Sequence, residues 1–464
     1  MLHIIISIVC LLILIALTVI SWKLVSVEKK IDEDDEQLKT KIETSKGFVY
    51  AAILASIFGI IAVLYILFEN SPYQGHLTEW LNIAVRVIHI TFGIAWIGAS
   101  FYFVFLENAL NRTKDVREEL AGNLWAVHGG GFYYLEKYKV APKVIPKELH
   151  WFKYEAYFTW LSGFCLLFIV YYFNAKATLI DTNVLKLTPF QAIGIGIGSF
   201  VIAWLLYDFL CKTKFIKSNT TFAIIGFALL TAFAYFYAHV FNSRAAYIHF
   251  GAMIGGIMVA NVFFVIIPAQ KAMVNAAKKG LPLNPQYGKN ALKRSLHNNY
   301  FTLPVLFVMV SNHFPSTFGN DYSWAILATI SLGAAGIKHW LNLKERGQYN
   351  VWILPVSVII LLAVAYVTAP VKQGECKINV SFIEVNQIVQ NRCVQCHSAQ
   401  PKDNVYTAAP NGIMYDTPEQ IINLKDKIMQ RVVITKTMPQ NNKTGMTLQE
   451  RDLIRCWIEQ GAKK

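Results

Sequence analysis

The run Cys393-Val394-Gln395-Cys396-His397 sets two thiols and an imidazole within five residues. That spacing fits covalent attachment of a c-type haem, in which both sulfurs add to the haem vinyl groups and His397 reaches the iron as an axial ligand. A bare Cys-x-x-Cys-His also occurs as half of a zinc site or as a redox pair. The chain offers no second Cys-x-x-Cys to complete a zinc site and no strand–helix context for a thioredoxin-like pair. A sixth ligand follows at Met438-Pro439, where the proline would stiffen the loop shortly before a final helix. Met414, Met429 and Met446 are the alternatives, and Met429 reads better as a core residue at helical spacing. A His397/Met438 pair raises the haem potential and suits an electron acceptor.

Histidines form the second constellation. His89, with Arg86 one turn earlier on the same helical face, joins His239, His249 and His313 in the outer halves of apolar runs. An ionisable residue inside a membrane span is costly and is a functional hypothesis by default. Two of these four could hold a b-type haem, with Arg86 facing a propionate or an anionic substrate. The plainer reading gives each an interhelical hydrogen bond or a place at the interface.

His128, His150, His297 and His339 fall toward the other side. His128 precedes Gly129-Gly130-Gly131, where backbone can approach a ligand closely. His150, Lys153 and Glu155 alternate with Trp151, Phe152 and Tyr154, whose rings could stack on a flat heterocycle while the polar groups bond its edges. An interfacial aromatic belt is the preferred account of those rings taken alone. Gly194-Ile195-Gly196-Ile197-Gly198 looks like part of a dinucleotide fingerprint, but it lies inside an apolar run, where helix packing explains it.

The elements that carry these residues are mostly apolar. Of 464 residues, 55% are hydrophobic and 16% charged, which points to a polytopic membrane protein with a polar tail. Spans are expected at 2–22, 48–68, 80–106, 154–174, 189–211, 220–241, 246–268, 299–318, 324–343 and 351–369, about ten in all. The stretch 299–318 is the weakest, because Pro304, Asn312, His313 and Pro315 interrupt it. The run 2–22 lacks a basic start and a small-residue cleavage site, so it reads as a retained span. The charged stretch 23–47 reads as a solvated loop.

Charge tests this count. With the haem segment outside, the cytoplasmic segments become 23–47, 107–153, 212–219, 269–298 and 344–350. They hold Lys212, Lys214 and Lys217, and Lys271, Lys278, Lys279, Lys289, Lys293 and Arg294. The opposite loops Glu69–Glu79 and Ser311–Ser323 contain no Lys or Arg, which is the positive-inside pattern and puts the N-terminus outside. The net charge of +14 is accounted for in this way, and no nucleic-acid motif accompanies it.

The domains expected are a transmembrane bundle over 1–369, a linker over 370–380 with Pro370 and Gly374, and a small class I cytochrome c domain over 381–464. The fold class is all-α. In the tail, Ser381–Asn391 reads as a helix running into the haem motif, and Thr447-Leu448-Gln449-Glu450 is a capping box opening a last helix that stops at Gly461. There are seven cysteines; Cys10, Cys165 and Cys211 read as small buried hydrophobes. Cys376 and Cys456 flank the haem segment as either a disulfide or two free thiols, which spacing does not decide.

His128-Gly-Gly-Gly-Phe132-Tyr133, Leu149-His-Trp-Phe-Lys-Tyr-Glu-Ala-Tyr157 with Thr159-Trp160-Leu-Ser-Gly163, and His297-Asn-Asn-Tyr300 with Thr302-Leu-Pro-Val305 and Ser311-Asn-His313 resemble the bacterial membrane-bound urate oxidase family. Its members fuse a multi-span domain to a C-terminal cytochrome c. In the tail, Tyr415-Asp-Thr-Pro-Glu419, Met438-Pro439, Thr444-Gly-Met-Thr447 and Glu450-Arg451 match as well. The resemblance runs from about residue 80 to the end. It implies oxidation of urate to 5-hydroxyisourate, with electrons passing to the fused cytochrome rather than directly to oxygen, and on to a respiratory acceptor such as a cytochrome c or a terminal oxidase. It also implies a bacterial inner membrane, with the cytochrome domain on the periplasmic side. His128, His150, Lys153, Glu155 and His297 are then the candidates for catalysis. One covalent haem c is expected, and a haem b in the bundle is the further candidate. The stretch around His89 with Trp96-Ile-Gly98 is similar to haem-binding or copper-associated four-helix membrane families. Cys376 and Cys456 lie outside the family pattern. Two other classes remain: a membrane cytochrome relaying electrons from quinol or a partner dehydrogenase, and a scaffold or transporter with a cytochrome tether.

Overall fold

A computed structural model describes residues 72–142, 144–213, 218–369, 374–376, 378–403, 406 and 408–464. The expected spans 2–22 and 48–68, the loop between them, Cys10, Lys214 and Lys217 lie outside the described residues. The chain divides into two units, residues 1–81 and 82–464. Of the first, the described part is the start of one helix, where His76 meets Trp80 edge-on at 6.2 Å. The second unit holds everything that follows.

The bundle is built from α1 (Pro72–Ala109), α2 (Tyr154–Leu167), α3 (Pro189–Lys212), α4 (Asn219–Ala238), α5 (Ser243–Ala260), α6 (Ile267–Lys278), α7 (Pro285–Ser311), α8 (Ser323–Glu345) and α9 (Ile353–Val367). Five continuous helical stretches among the described residues are long and apolar enough to cross a membrane: Gly75–Ala109, Tyr154–Tyr172, Pro189–Lys212, Asn219–Ala238 and Ser243–Lys278. The stretches expected at 324–343 and 351–369 are largely helical and that at 299–318 is helical to Ser311 and again at Pro315–Phe318, but none is among these five. The reason is composition in α7 and α8, where buried polar residues such as Asn298, Asn299, Lys338 and Asn342 face other helices, and length in α9. α5 is the hub. Its face of Tyr247, His249, Phe250, Met253, Ile254 and Ile257 is buried among α2, α3, α4 and α7. Gly251 lets Val308 of α7 sit where a Cβ would lie, 2.4 Å from its Cγ1.

The all-α expectation needs one correction. Leu120–His128 (β1) and Gly131–Tyr138 (β2) form an antiparallel hairpin. Gly129 and Gly130 make its two-residue turn, with φ +58° and +79°. Two consecutive left-handed positions are cheap only for glycine and match the twist of paired strands. The glycine run after His128 is therefore a turn. Lys137 pairs with Glu107 and so fastens the hairpin to the end of α1. Asn108 next to it donates to Glu345 (2.9 Å) and accepts from Arg346 (2.8 Å), joining α1 to the end of α8.

The tail has its own core of Val385, Val389, Ile421, Ile454 and Trp457. α10 (Phe382–Arg392) opens on a Ser381/Glu384 capping box and α11 (Leu448–Glu459) on Thr447/Glu450, close to the expected bounds. Cys376 and Cys456 are joined as a disulfide, 80 residues apart in sequence, which ties the start of the tail to its last helix. The tail docks on the bundle through the residues just after Met438-Pro439. Gln440 donates to the Ala177 carbonyl (2.6 Å), Asn441 to that of Ile180 (2.7 Å), and Asn183 returns a bond to the Asn441 carbonyl (3.3 Å). Gly319, after α7, leaves room for Thr435 and Thr437 of the tail. Both contacts involve loops expected on the haem side.

Candidate functional site

Cys393 caps the C-terminus of α10, its N–H bonding to the Val389 carbonyl at 2.8 Å. The N–H groups of Cys396 and His397 both turn back onto the Cys393 carbonyl, at 3.2 and 2.9 Å. The imidazole of His397 is oriented by a 2.9 Å bond between Nδ1 and the Ile413 carbonyl. A carbonyl accepts there, so Nδ1 carries the proton and Nε2 keeps its lone pair for a metal. Burial lowers the His397 pKa and so favours the neutral, ligating form.

Burial pushes the Cys393 thiol up to about 12 and the Cys396 thiol to about 11. A redox Cys-x-x-Cys pair needs the opposite, a depressed thiol pKa. Both thiols are free, whereas Cys376 and Cys456 are bonded. Among the described residues no group of three or more His, Cys, Asp or Glu side chains could hold a metal ion, which leaves a zinc site without its further ligands.

Met438 packs against the same apolar core as Cys393 and Val394. The buried Arg451 fixes its backbone, donating to the carbonyls of Val432 and Met438, the latter at 2.7 Å. Met446 is buried in the core and Met429 packs against it. Two thiols, an imidazole with one free nitrogen and a thioether on one apolar core fit a covalent haem.

In the bundle the decisive segment is His297-Asn298-Asn299-Tyr300. Successive residues of a helix point about 100° apart, so four polar side chains in a row address different neighbours. His297 takes α3: its Nδ1 meets the Tyr207 hydroxyl at 2.8 Å, and its ring stacks on Phe222 at 4.7 Å. Asn298 takes the Asn261–Ile266 stretch, a π-helical turn after α5, accepting from Asn261 Nδ2 at 2.8 Å and donating to the Met258 carbonyl. Asn299 takes α8, accepting from Asn342 at 3.1 Å. Tyr300 bonds His339 at 2.6 Å.

A second layer holds the first. Asn261 Nδ2 also donates to the Tyr207 hydroxyl (3.1 Å), and Asn261 Oδ1 accepts from Arg294 (3.2 Å). The buried Arg294 pairs with Asp208 at 2.6 Å, and Asp208 also meets the exposed Lys212 at 2.6 Å. Arg294, counted above among the loop charges, therefore belongs to the interior. Asn261 sits at a π-bulge, a feature often found at functional sites.

The other expected residues are more scattered. His128 is exposed at the hairpin turn. His150 is exposed and meets Phe152 edge-on at 4.5 Å. Lys153 lies over the Tyr154 ring at 4.8 Å, and Glu155 is in the first turn of α2. Among the described residues no hydrogen bond, ion pair or ring contact joins these four to His297.

In the half of the bundle expected on the haem side, His89 bonds the Thr159 carbonyl (2.9 Å) and the Ser162 hydroxyl (3.2 Å) through Nδ1, against Gly163 of α2. Arg86 is exposed and turned to Asn82. His249 is fully buried with both nitrogens engaged: Nδ1 with the Ala245 carbonyl (2.8 Å) and Nε2 with the Tyr172 hydroxyl (3.0 Å). Gly196 makes that bond fit, since its Cβ would lie 3.0 Å from the Tyr172 oxygen. His239 stacks on Tyr235, and His313 is exposed.

Sequence reasoning passed over Asp208, Asn261, Lys338 and Asn342. The rule that singled out histidines in apolar runs applies equally to Asn261 and Lys338, and would have found them.

A family model described as urate oxidase N-terminal matches residues 75–369. No curated protein and no solved structure matches the chain.

Proposed function

The chain belongs to the urate oxidase N-terminal family, and from that premise we propose that it is a membrane-bound oxidoreductase that oxidises urate to 5-hydroxyisourate and passes the electrons to a haem on its own tail. Urate and one water give 5-hydroxyisourate, two protons and two electrons. A c-type haem bound to Cys393 and Cys396 supplies one-electron acceptance, so two successive transfers complete each turnover. His397 and Met438 would be its axial ligands.

The observation that carries this reading is the docking of the tail. Gln440 and Asn441, adjoining the Met438 loop, are hydrogen-bonded to the domain matched by the family model. In the bundle the reading rests on His297, which Tyr207, Asn261 and Arg294 hold in one orientation. His297 would bond the substrate or move its proton, while Phe222 shields one ring face. Nothing equivalent supports His128, His150, Lys153 or Glu155, which would act from the rim. The proposed setting is a bacterial inner membrane with the tail outward, the haem handing electrons to a cytochrome c or a terminal oxidase. The positive-inside charges support that orientation.

Anaerobic addition of urate to the purified full chain should reduce its haem, with two haems reduced per urate consumed. A haem that quinol reduces and urate does not would overturn this reading in favour of an electron-relay cytochrome.

A further inference from the structure

Three side chains between α7 and α8 carry buried polar atoms with no hydrogen-bond partner among the described residues: Lys338 Nζ, Asn299 Nδ2 and Asn342 Oδ1. Lys338 and Asn299 are fully buried, and Asn342 is 2% exposed. They form one cluster. Lys338 and Asn342 are one turn apart on the same face of α8, and Asn342 donates to Asn299 at 3.1 Å. The ammonium of Lys338 lies 3.5 Å from the centre of the Phe101 ring of α1. The nearby carboxylate of Glu345 is taken by Asn108.

A buried ammonium facing only an aromatic ring is costly unless something neutralises it. Polar groups in a core are nearly always satisfied, so three orphans in one place point to a ligand. What remains unmet is a cation, one N–H donor and one carbonyl acceptor beside an aromatic face. The complement is a flat anion with carbonyl oxygens next to a ring N–H.

We infer that Lys338, Asn299 and Asn342 form the binding site for the anionic, lactam-edged heterocycle, with Lys338 as counter-ion. This deepens the proposed function and rests on it: urate, a planar monoanion at neutral pH with alternating C=O and N–H groups, has the required edge. The site also explains the Asn298-Asn299 pair. Asn298 is spent on holding Asn261 and the Met258 carbonyl, while Asn299 keeps its amide N–H for the ligand.

The test is equilibrium binding of radiolabelled urate to the detergent-solubilised full chain, with the haem reduced beforehand under argon so that urate binds without being oxidised. Lys338→Met should weaken binding at least tenfold, and Asn342→Leu should weaken it several-fold. Because Lys338 has no hydrogen-bond partner or counter-ion contact without ligand, only the Phe101 ring face, Lys338→Met should leave the unliganded thermal midpoint unchanged or higher, with haem content intact. A structural lysine would behave in the opposite way. Wild-type binding that Lys338→Met leaves unchanged overturns this site and spares the urate reading. A Lys338→Met chain that fails to fold also overturns it, since the lysine would then be serving the fold. A wild-type chain that neither binds urate nor is reduced by it overturns both.

Discussion

Removing Asp208 should harm the bundle more than removing Arg294, although the two form one ion pair. Arg294 is 5% exposed and has two polar partners, the Asp208 carboxylate at 2.6 Å and the Asn261 amide oxygen at 3.2 Å. It also lies over the faces of Trp204 and Tyr207. Asp208→Asn therefore leaves a buried guanidinium with neutral acceptors only and no counter-charge, a change that costs about 3–5 kcal/mol. Arg294→Met leaves Asp208 in a better position. The carboxylate is 16% exposed and keeps Lys212 at 2.6 Å, so the loss is nearer one charged hydrogen bond, about 1.5–3 kcal/mol. Lys212→Met should cost under about 1 kcal/mol, because that ammonium is 71% exposed. The double variant Asp208→Asn/Arg294→Met should be milder than Asp208→Asn alone, since no buried charge is left without a partner. Tryptophan-fluorescence melts of the four proteins in one detergent give the order, and urate-driven haem reduction should follow it through the Arg294–Asn261–Tyr207–His297 chain. Equal losses for the two single variants, or strictly additive losses in the double, would refute the asymmetry on which this rests.

Other expectations concern separate parts of the molecule. Gly196→Ala would place a Cβ 3.0 Å from the Tyr172 hydroxyl and 3.1 Å from His249 Nε2, and should lower stability by about 1–3 kcal/mol; a thermal midpoint equal to wild type contradicts that packing. Arg451→Met removes the donor to the Met438 and Val432 carbonyls, so the reduction potential should fall as methionine ligation weakens, with Arg451→Lys intermediate; redox titration of the haem band decides it. Replacing Cys376 and Cys456 by serine opens an 80-residue loop and should cost the tail about 4 kcal/mol in the chain-entropy account, read as a lower midpoint of haem-monitored unfolding that matches wild type under reductant. Any non-covalent haem extracted from the full chain should survive His249→Phe and be lost in His89→Phe, because His249 has both nitrogens engaged and His89 keeps Nε2; loss in His249→Phe alone reverses the assignment.

The tail was the most legible part of the chain because its signals are local. Capping boxes at Ser381 and Thr447 lie within four residues of the helices they start, and the candidate haem ligands sit in one short run and one Met-Pro pair. The disulfide was undecidable for the opposite reason, since a contact across 80 residues leaves no periodic trace. The hairpin after Lys114 escaped because its strands lie in a segment sorted by charge as a loop, and the glycines between them read as a ligand loop before they read as a turn. In the bundle, helices were visible and partners were not. His297 was found by its type, but what gives it direction comes from Tyr207 on α3 and Asn261 after α5, 90 residues and 36 residues away in the chain. Arg294 was sorted by sign as a loop charge, yet its two neighbours make it an interior residue. Composition reports how many charges a segment holds, and only packing reports which of them are dry.

The positions of these groups along α7 bear on how electrons would leave. Asn299 and Ser311 are twelve residues apart on one helix, a rise of about 18 Å. The tail docks just beyond Ser311, at Gly319, and at Ala177–Asn183. A ligand bonded by Asn299 and Lys338 would therefore lie about 18 Å along α7 from the end at which the tail docks. His249 lies in the hub helix, twelve residues before Asn261, and is ringed by Phe200, Tyr237, Tyr172 and Phe241. Its hydrogen bonds are complete without any cofactor. At His89 the Thr159 carbonyl and the Ser162 hydroxyl orient Nδ1, in the manner of the outer partners of a metal-bound histidine, and Nε2 stays unspent. If a second redox centre bridges the two ends, the hydrogen bonding of this chain assigns it to α1 and α2 at His89 rather than to the buried histidine of α5.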